Sequence, residues 1–283
     1  MSQDNNWSTV ITPKTSLFRL NIKEIWEYRD LIKIFVRRDI VSIYKQTVMG
    51  PVWFMLGPLF TVFTYTFIFS QVAKISTDGL PGPLFYLSGT TLWNYFQSCF
   101  SGASTTFSTN SNIFGKVYFP RLVSPISMVL SNLLKFCVQM ITFLCFLTYY
   151  SIQSNSIISL QKEVILVPVL VLIAGGIAMG GGIIISSLTT KYRDFTMFIG
   201  VFLSLLMYAT PIMYPESALP TWSKPILKWN PLAPLIEIFR FVFTGHGNLE
   251  WGGLLYSMCF MIVILFLGVI IFNRAEKTFM DTV

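Results

Sequence analysis

Residues 164–190 read VILVPVLVLIAGGIAMGGGIIISSLTT, 27 consecutive positions without one charged side chain. A bilayer core of ~30 Å is crossed by roughly 20 residues of α-helix, so this run predicts a membrane span. A transmembrane barrel strand would instead alternate apolar and polar positions over about 10 residues. The glycines at 175, 176, 180, 181 and 182 sit in mid-run, with no lysine beside them and no soluble strand before them. Gly176 and Gly180, four apart, suit close helix packing in a bilayer rather than a phosphate cradle.

Five further blocks share this character: 51–73, 83–107, 122–150, 195–214 and 251–272. The expected fold is therefore an all-α integral membrane protein with six transmembrane helices. Composition agrees, because 53% of the 283 residues are hydrophobic and 12% charged, where soluble domains carry ~25% charged residues. The net charge of +7 does not point to nucleic acid, since the basic residues fall between apolar blocks and form no single patch. Cys99, Cys137, Cys145 and Cys259 all lie inside apolar blocks without the pairing of a disulfide framework, and read as packing residues. The first 50 residues lack a compact apolar core followed by small residues, so no cleaved signal peptide is expected.

Basic residues set the orientation. With a cytoplasmic N-terminus, that side collects 15 of the 20 Lys and Arg residues, counting Lys135 in span three, against 5 on the other. Both termini are expected in the cytoplasm. Lys135 is the one charge well inside a span, positioned either to snorkel or to meet a partner helix.

Residues 1–50 are read as a cytoplasmic N-terminus and 51–273 as the six-span domain, with 274–283 as a cytoplasmic tail. Asn21 and Glu24 have capping-box spacing. From Asp30 to Tyr44, Leu31, Ile34, Phe35 and Val41 alternate by turns with Lys33, Arg37 and Arg38. That pattern predicts an amphipathic interface helix in the headgroup layer. Between spans five and six, Pro231 and Pro234 interrupt a short apolar run. Two half-inserted helices are expected within an extracytoplasmic gate region at 215–250.

None of the 13 acidic residues falls inside the six blocks, whereas ion-coupled transporters usually keep a carboxylate in the membrane. The one histidine, His246, leaves no multi-histidine metal site, and no GxxxxGK[ST] run is present. An active transporter of this kind must draw its energy from a separate ATPase; a passive channel is the other arithmetic possibility.

Several segments resemble a known family. Arg37-Arg38-Asp39-Ile40-Val41-Ser42-Ile43-Tyr44-Lys45-Gln46-Thr47-Val48-Met49-Gly50-Pro51-Val52-Trp53 is similar to the approach to span one in type 2 ABC exporter permeases, and more narrowly in Wzm-like subunits that export bacterial O-antigen and related polysaccharides. Tyr192-Arg193-Asp194, Thr210-Pro211-Ile212-Met213-Tyr214-Pro215 and Leu227-Lys228-Trp229-Asn230-Pro231-Leu232-Ala233-Pro234 extend the likeness in order and spacing.

The resemblance implies a homodimeric channel in the bacterial inner membrane. Each copy would bind one ABC ATPase subunit that holds ATP and magnesium, this chain having no cofactor or metal of its own. It also places the ATPase contact on Arg37, Arg38, Asp39, Tyr44 and Lys45, on Asn112, Ile113, Phe114 and Lys116, and on Tyr192, Arg193 and Asp194. A polyprenyl-diphosphate-linked glycan would be the cargo, and a drug or teichoic acid the alternatives.

From the residues themselves, Tyr65, Trp93, Asn94, Tyr95 and Gln97 combine flat rings with polar tips, as a sliding sugar chain requires; lipid contact is the plainer reading of such aromatics. Pro211, Tyr214, Pro215, Glu237 and Arg240 form the expected gate, the two charges neutralising each other three positions apart. Arg37, Arg38 and Lys45 suit either a lipid diphosphate or simple positive-inside topology. A distant alternative, a membrane enzyme acting on polyprenyl-linked sugars, would need paired acids, and Asp78 and Asp194 lie on opposite sides in this topology.

Overall fold

Thr61, Thr64 and Thr66 each return a hydroxyl to the carbonyl four residues earlier, at 3.1, 2.8 and 2.8 Å. Such back-bonding competes with the main-chain ladder, and here α3 (Trp53–Tyr65) widens into a π-helical continuation over Thr66–Val72. The computed structural model describes residues 22–45, 49–114, 116, 117, 119–154, 161–189, 192, 194–247 and 249–279. Every regular element among them is helical. Ahead of α3 lie α1 (Ile22–Glu27) and α2 (Arg29–Lys45). Glu24 occupies the first turn of α1, while Asn21 of the expected capping box lies outside the described residues.

Then follow α4 (Gly82–Ser104), α5 (Thr106–Phe114), α6 (Val123–Ser154), α7 (Val167–Thr189) and α8 (Phe195–Tyr208). The chain finishes with α9 (Lys224–Trp229), α10 (Ala233–Thr244) and α11 (Trp251–Phe279). Helices α3, α4, α6, α7, α8 and α11 run alternately between two ends of the bundle. Ser88, near the start of α4, meets Arg240 of α10. At the other end of α4, the Ser104 carbonyl accepts from Thr189 of α7, and the next helix begins beside it, Phe107 donating its backbone N–H to Ser186. That second end also carries α2, whose Phe35 packs edge-on against Phe119 ahead of α6.

Among the described residues, four helical stretches are long and apolar enough to cross a bilayer: Trp53–Val72, Val123–Gln153, Lys162–Thr189 and Trp251–Ala275. The expected second block, 83–107, falls short in hydropathy although α4 has 23 residues. α4 is the central helix, buried along most of its length between α3, α6, α7 and α10. A helix shielded from lipid on most sides has no need of an apolar outer face. Its Ser88, Thr90 and Thr91 hydroxyls are satisfied by carbonyls of α4 itself, at 2.7, 2.8 and 2.7 Å. The expected fifth block, 195–214, also shortens. α8 ends at Tyr208 after 14 residues, roughly 21 Å of helix, and the chain then turns through Ala209–Tyr214. The expected tail is still helical at its start, because α11 continues to Phe279.

Close packing of α7 against α11 and α4 explains the glycine-rich run. A Cβ built on Gly180 would stand 2.9 Å from the backbone carbon of Ile264, and one on Gly182 would stand 2.5 Å from the Ala103 Cβ. Backbone neighbours cannot yield as side chains do, so only glycine allows these approaches.

Candidate functional site

At the end of the bundle where α4 begins, the two proline-containing motifs lock together. Asn230, between α9 and α10, donates its amide to the Ala209 carbonyl at 3.0 Å and to Thr210 Oγ1 at 2.8 Å. Its own Oδ1 accepts the Leu232 backbone N–H at 2.9 Å. One buried side chain thus caps the C-terminal end of α8 and starts α10. Ser257 of α11 donates to the Pro231 carbonyl at 2.7 Å and Tyr256 to the Trp229 carbonyl at 2.9 Å.

α10 carries Leu235, Ile236, Ile238, Phe239, Val242 and Phe243 into the hydrophobic core. It is an integral packing element of the bundle and not a span. The two expected short helices are present as α9 and α10.

Arg240 is 4% exposed. It stacks 3.8 Å over the Phe85 ring, donates to the Pro211 carbonyl at 2.9 Å and faces Ser88 Oγ at 3.3 Å. Burial holds its guanidinium down at about 10, opposed by the Glu237 charge. The expected close Glu237–Arg240 pairing is absent. Among the described residues the ion pairs within contact distance are Lys33–Asp30 and Arg38–Asp39. Arg240 makes its contacts toward α4, and it shares with Glu237, Asp78, Glu216 and Glu250 the lining of a cavity of about 360 Å³. Burial, then the adjacent Glu216, push the Glu237 carboxyl up to about 8. Lys224 and His246 also line the cavity.

Two further contacts close this end. Ser217 donates to Asp78 at 2.7 Å, and Tyr214 donates to the Tyr208 carbonyl at 2.6 Å. Pro211 and Pro215 flank that turn, so the five expected gate residues are neighbours. The participation of Asn230, Asp78 and Glu216 was missed by sequence reasoning. Asn230 sat inside a quoted motif, but the two acids gave no signal at all.

The expected path residues divide. Trp93 and Tyr95 are buried inside the single chain, Trp93 against Phe96 and Tyr95 against Phe136 and Gly175. The Trp93 indole N–H and the Tyr86 hydroxyl are buried without an acceptor or donor. Tyr65 is half-buried beside Tyr86, and Asn94 faces Gln139 of α6 at 3.5 Å. Gln97 is exposed. These side chains do not converge on one surface.

At the opposite end, α2 lies along α6. Phe35 is buried in a cluster with Phe107, Phe114, Phe119 and Phe272, which extends the aromatic packing from α2 to α11. Phe114 is 3% exposed, so it anchors α5 to the bundle, while Lys116 and Val117 project outward. Ile113 is half-buried. Arg37 and Lys33 border an open apolar groove with Ile32, Val36, Ile40 and Leu130. Arg38 grips Asp39 Oδ1 through Nε and Nη2, at 3.0 and 2.8 Å, and lies 4.7 Å over Phe35. Lys45 and Asp194 are exposed, as is Tyr192 beside Phe195. Arg193 lies outside the described residues, as do the side chains of Tyr44 and Asn112. Among the described residues no three His, Cys, Asp or Glu side chains converge as a metal centre requires.

Comparison with known proteins agrees with this architecture. Residues 30–244 match the ABC-2 type transporter family. The chain is 30% identical over 253 residues to an O-antigen export system permease protein RfbA of Klebsiella pneumoniae, covering 89% of this chain and 94% of that one. A Myxococcus xanthus protein of the same description is 25% identical, with 93% and 98% covered. The polysialic acid transport protein KpsM of Escherichia coli is 22% identical, with 87% and 93% covered.

Proposed function

The chain belongs to the ABC-2 type transporter family, and from that premise we propose that it is the membrane subunit of an exporter of lipid-linked, O-antigen-like polysaccharide. It is a multi-pass membrane protein and a transport component. The carrying observation is the likeness to O-antigen permeases over nearly the whole of both chains.

Six helices cross the bilayer in this reading, α4 and α8 among them, with both termini in the cytoplasm of a bacterial inner membrane. α4 crosses as a helix sheathed by its neighbours, and α8 reaches the outer surface through the turn that Asn230 caps. Two copies form the channel, and two ABC ATPase subunits supply the work from ATP and magnesium. Their closure pushes on α2, on the exposed Lys116–Val117 turn after α5 and on the turn around Tyr192 and Asp194. The α9–α10 element and its charged cavity close the outer end.

Of the basic groups, Arg37 and Lys45 are the better placed for the diphosphate of the lipid carrier, because Arg38 is already committed to Asp39. The opening between α4 and its neighbours must widen before Trp93 or Tyr95 can touch cargo.

Deleting the gene should strip polysaccharide from the cell surface and leave lipid-linked glycan inside, and this chain together with its cognate ATPase should restore export. Intact surface polysaccharide with altered drug tolerance in the deletion strain would instead select the drug-exporter alternative.

A further inference from the structure

Lys135 is the one charged side chain deep in α6, and the export scheme above gives it no task. It lies 12 positions beyond Val123, roughly 18 Å along the helix. Helical side chains lean toward the N-terminal end, and Lys135 does so, donating to Asn132 Oδ1 at 2.8 Å. Its ammonium also stands 5.7 Å from the Phe54 ring of α3. Asn132 is itself 6% exposed, so this contact leaves the charge inside the bundle.

One turn nearer the same end, the Ser131 hydroxyl is shared between the Ser127 carbonyl at 2.8 Å and Asp39 Oδ2 at 3.3 Å. Asp39 belongs to α2. Its side chain is only a fifth exposed, with Oδ1 held by Arg38 and Oδ2 directed at α6. Ser131 and Lys135 are four apart on α6 and so share one face of that helix, which puts the Asp39 carboxylate one turn from the Lys135 position.

We propose that Asp39 and Lys135 form a charge couple that positions α2 on α6, so that movement of α2 is passed directly to the junction of α3, α4 and α6. Both are positioning residues. A cation among apolar helices is costly without a nearby anion, so each position of α2 that keeps Asp39 near Lys135 is favoured over positions that part them. Removing Asp39 leaves both Arg38 and Lys135 without their acid, whereas removing Lys135 leaves the Arg38–Asp39 pair intact. Loss of the acid is therefore the more damaging change.

The test uses the full chain in native membranes, with the exposed Cys137, Cys145 and Cys259 replaced by serine. Val41→Cys and Leu130→Cys line one groove between α2 and α6, and a short bis-maleimide reads how long they stay together. Cross-linking should fall several-fold in Asp39→Asn, less in Lys135→Met, and stay at the parent level in Lys135→Arg. Parent-level cross-linking in both Asp39→Asn and Lys135→Met overturns the couple. So does an equal loss in Lys135→Arg, which would mark a packing role rather than a charge.

If Lys135→Met fails to accumulate in the membrane, Asp39→Asn against Lys135→Arg decides alone. The second arm rests on the proposed export role: with the cognate ATPase present, Lys135→Met should keep hydrolysing ATP while export drops. Altered cross-linking with unchanged export would leave the couple standing and sink the transmission of movement through it.

Discussion

Glu237 is the residue at which the α9–α10 end of this bundle is least comfortable as a charge. It shares its surroundings with Glu216, Glu250 and Asp78, and the cations nearby are the buried Arg240, Lys224 and Lys228. Glu237 and Glu216 line the same cavities, and neighbouring carboxyls of like charge favour keeping a proton on one of them. The folded protein holds that proton up to about pH 8, against an ordinary value of 4.5. Across this interval the folded state binds more protons than the unfolded chain, so stability must decline as pH rises through it. Thermal unfolding in detergent should show a midpoint that falls between about pH 4.5 and 8, while Glu237→Gln, a neutral amide of the same shape, loses that part of the slope. Identical slopes in the two proteins would mean that Glu237 is charged throughout.

Among the elements, the 216–218 turn lies outside the packed core: α10 is packed into the bundle, while the turn meets the α3–α4 loop through the hydrogen bond from Ser217 to Asp78. Those two side chains are exposed and 2.7 Å apart, so Asp78→Cys with Ser217→Cys should form a disulfide under mild oxidation. In the proposed exporter the bond should block surface delivery, with recovery on adding reductant; full export in the oxidised state would remove this turn from the gate.

Much of this element could be read in the sequence: Pro231 and Pro234 announced the break between α9 and α10, and Gly176 and Gly180 announced the tight helix contact. Other features could not be read. Hydropathy measures what lipid sees, and α4 is shielded by protein, so its Ser and Thr content says little about whether it crosses. Spacing of three suggested that Glu237 and Arg240 would pair, but their directions were set by Phe85 on one side and Glu216 on the other, which only the folded chain brings near. The family resemblance places Phe114 at the ATPase contact; the fold buries it among Phe35, Phe107, Phe119 and Phe272, a cluster that only the folded chain brings together.

For the molecule as a whole, the two ends differ in kind. One presents basic and apolar groups on α2 and the turns around Lys116 and Asp194; the other presents an acidic cavity over a buried arginine. Between them, α3, α4, α6, α7, α8 and the first 25 residues of α11 contain no aspartate or glutamate. A proton or sodium gradient does work through a group that binds the ion within the barrier and releases it on the far side. Tyrosine, cysteine and a lone lysine are poor substitutes near neutral pH, because their charge states scarcely change there. In the proposed exporter, movement of cargo against a gradient is therefore driven from the α2 end, by an ATPase partner that changes shape. Reconstituted by itself in sealed vesicles, the protein should leave every tested solute at equal concentration on both sides under an imposed pH or sodium difference. Addition of the cognate ATPase with ATP should be needed before glycan lipid accumulates on one side. Uphill transport powered by either ion gradient in the absence of the ATPase would show that the bundle contains a coupling site of its own, and the assignment of the work to α2 would have to be given up.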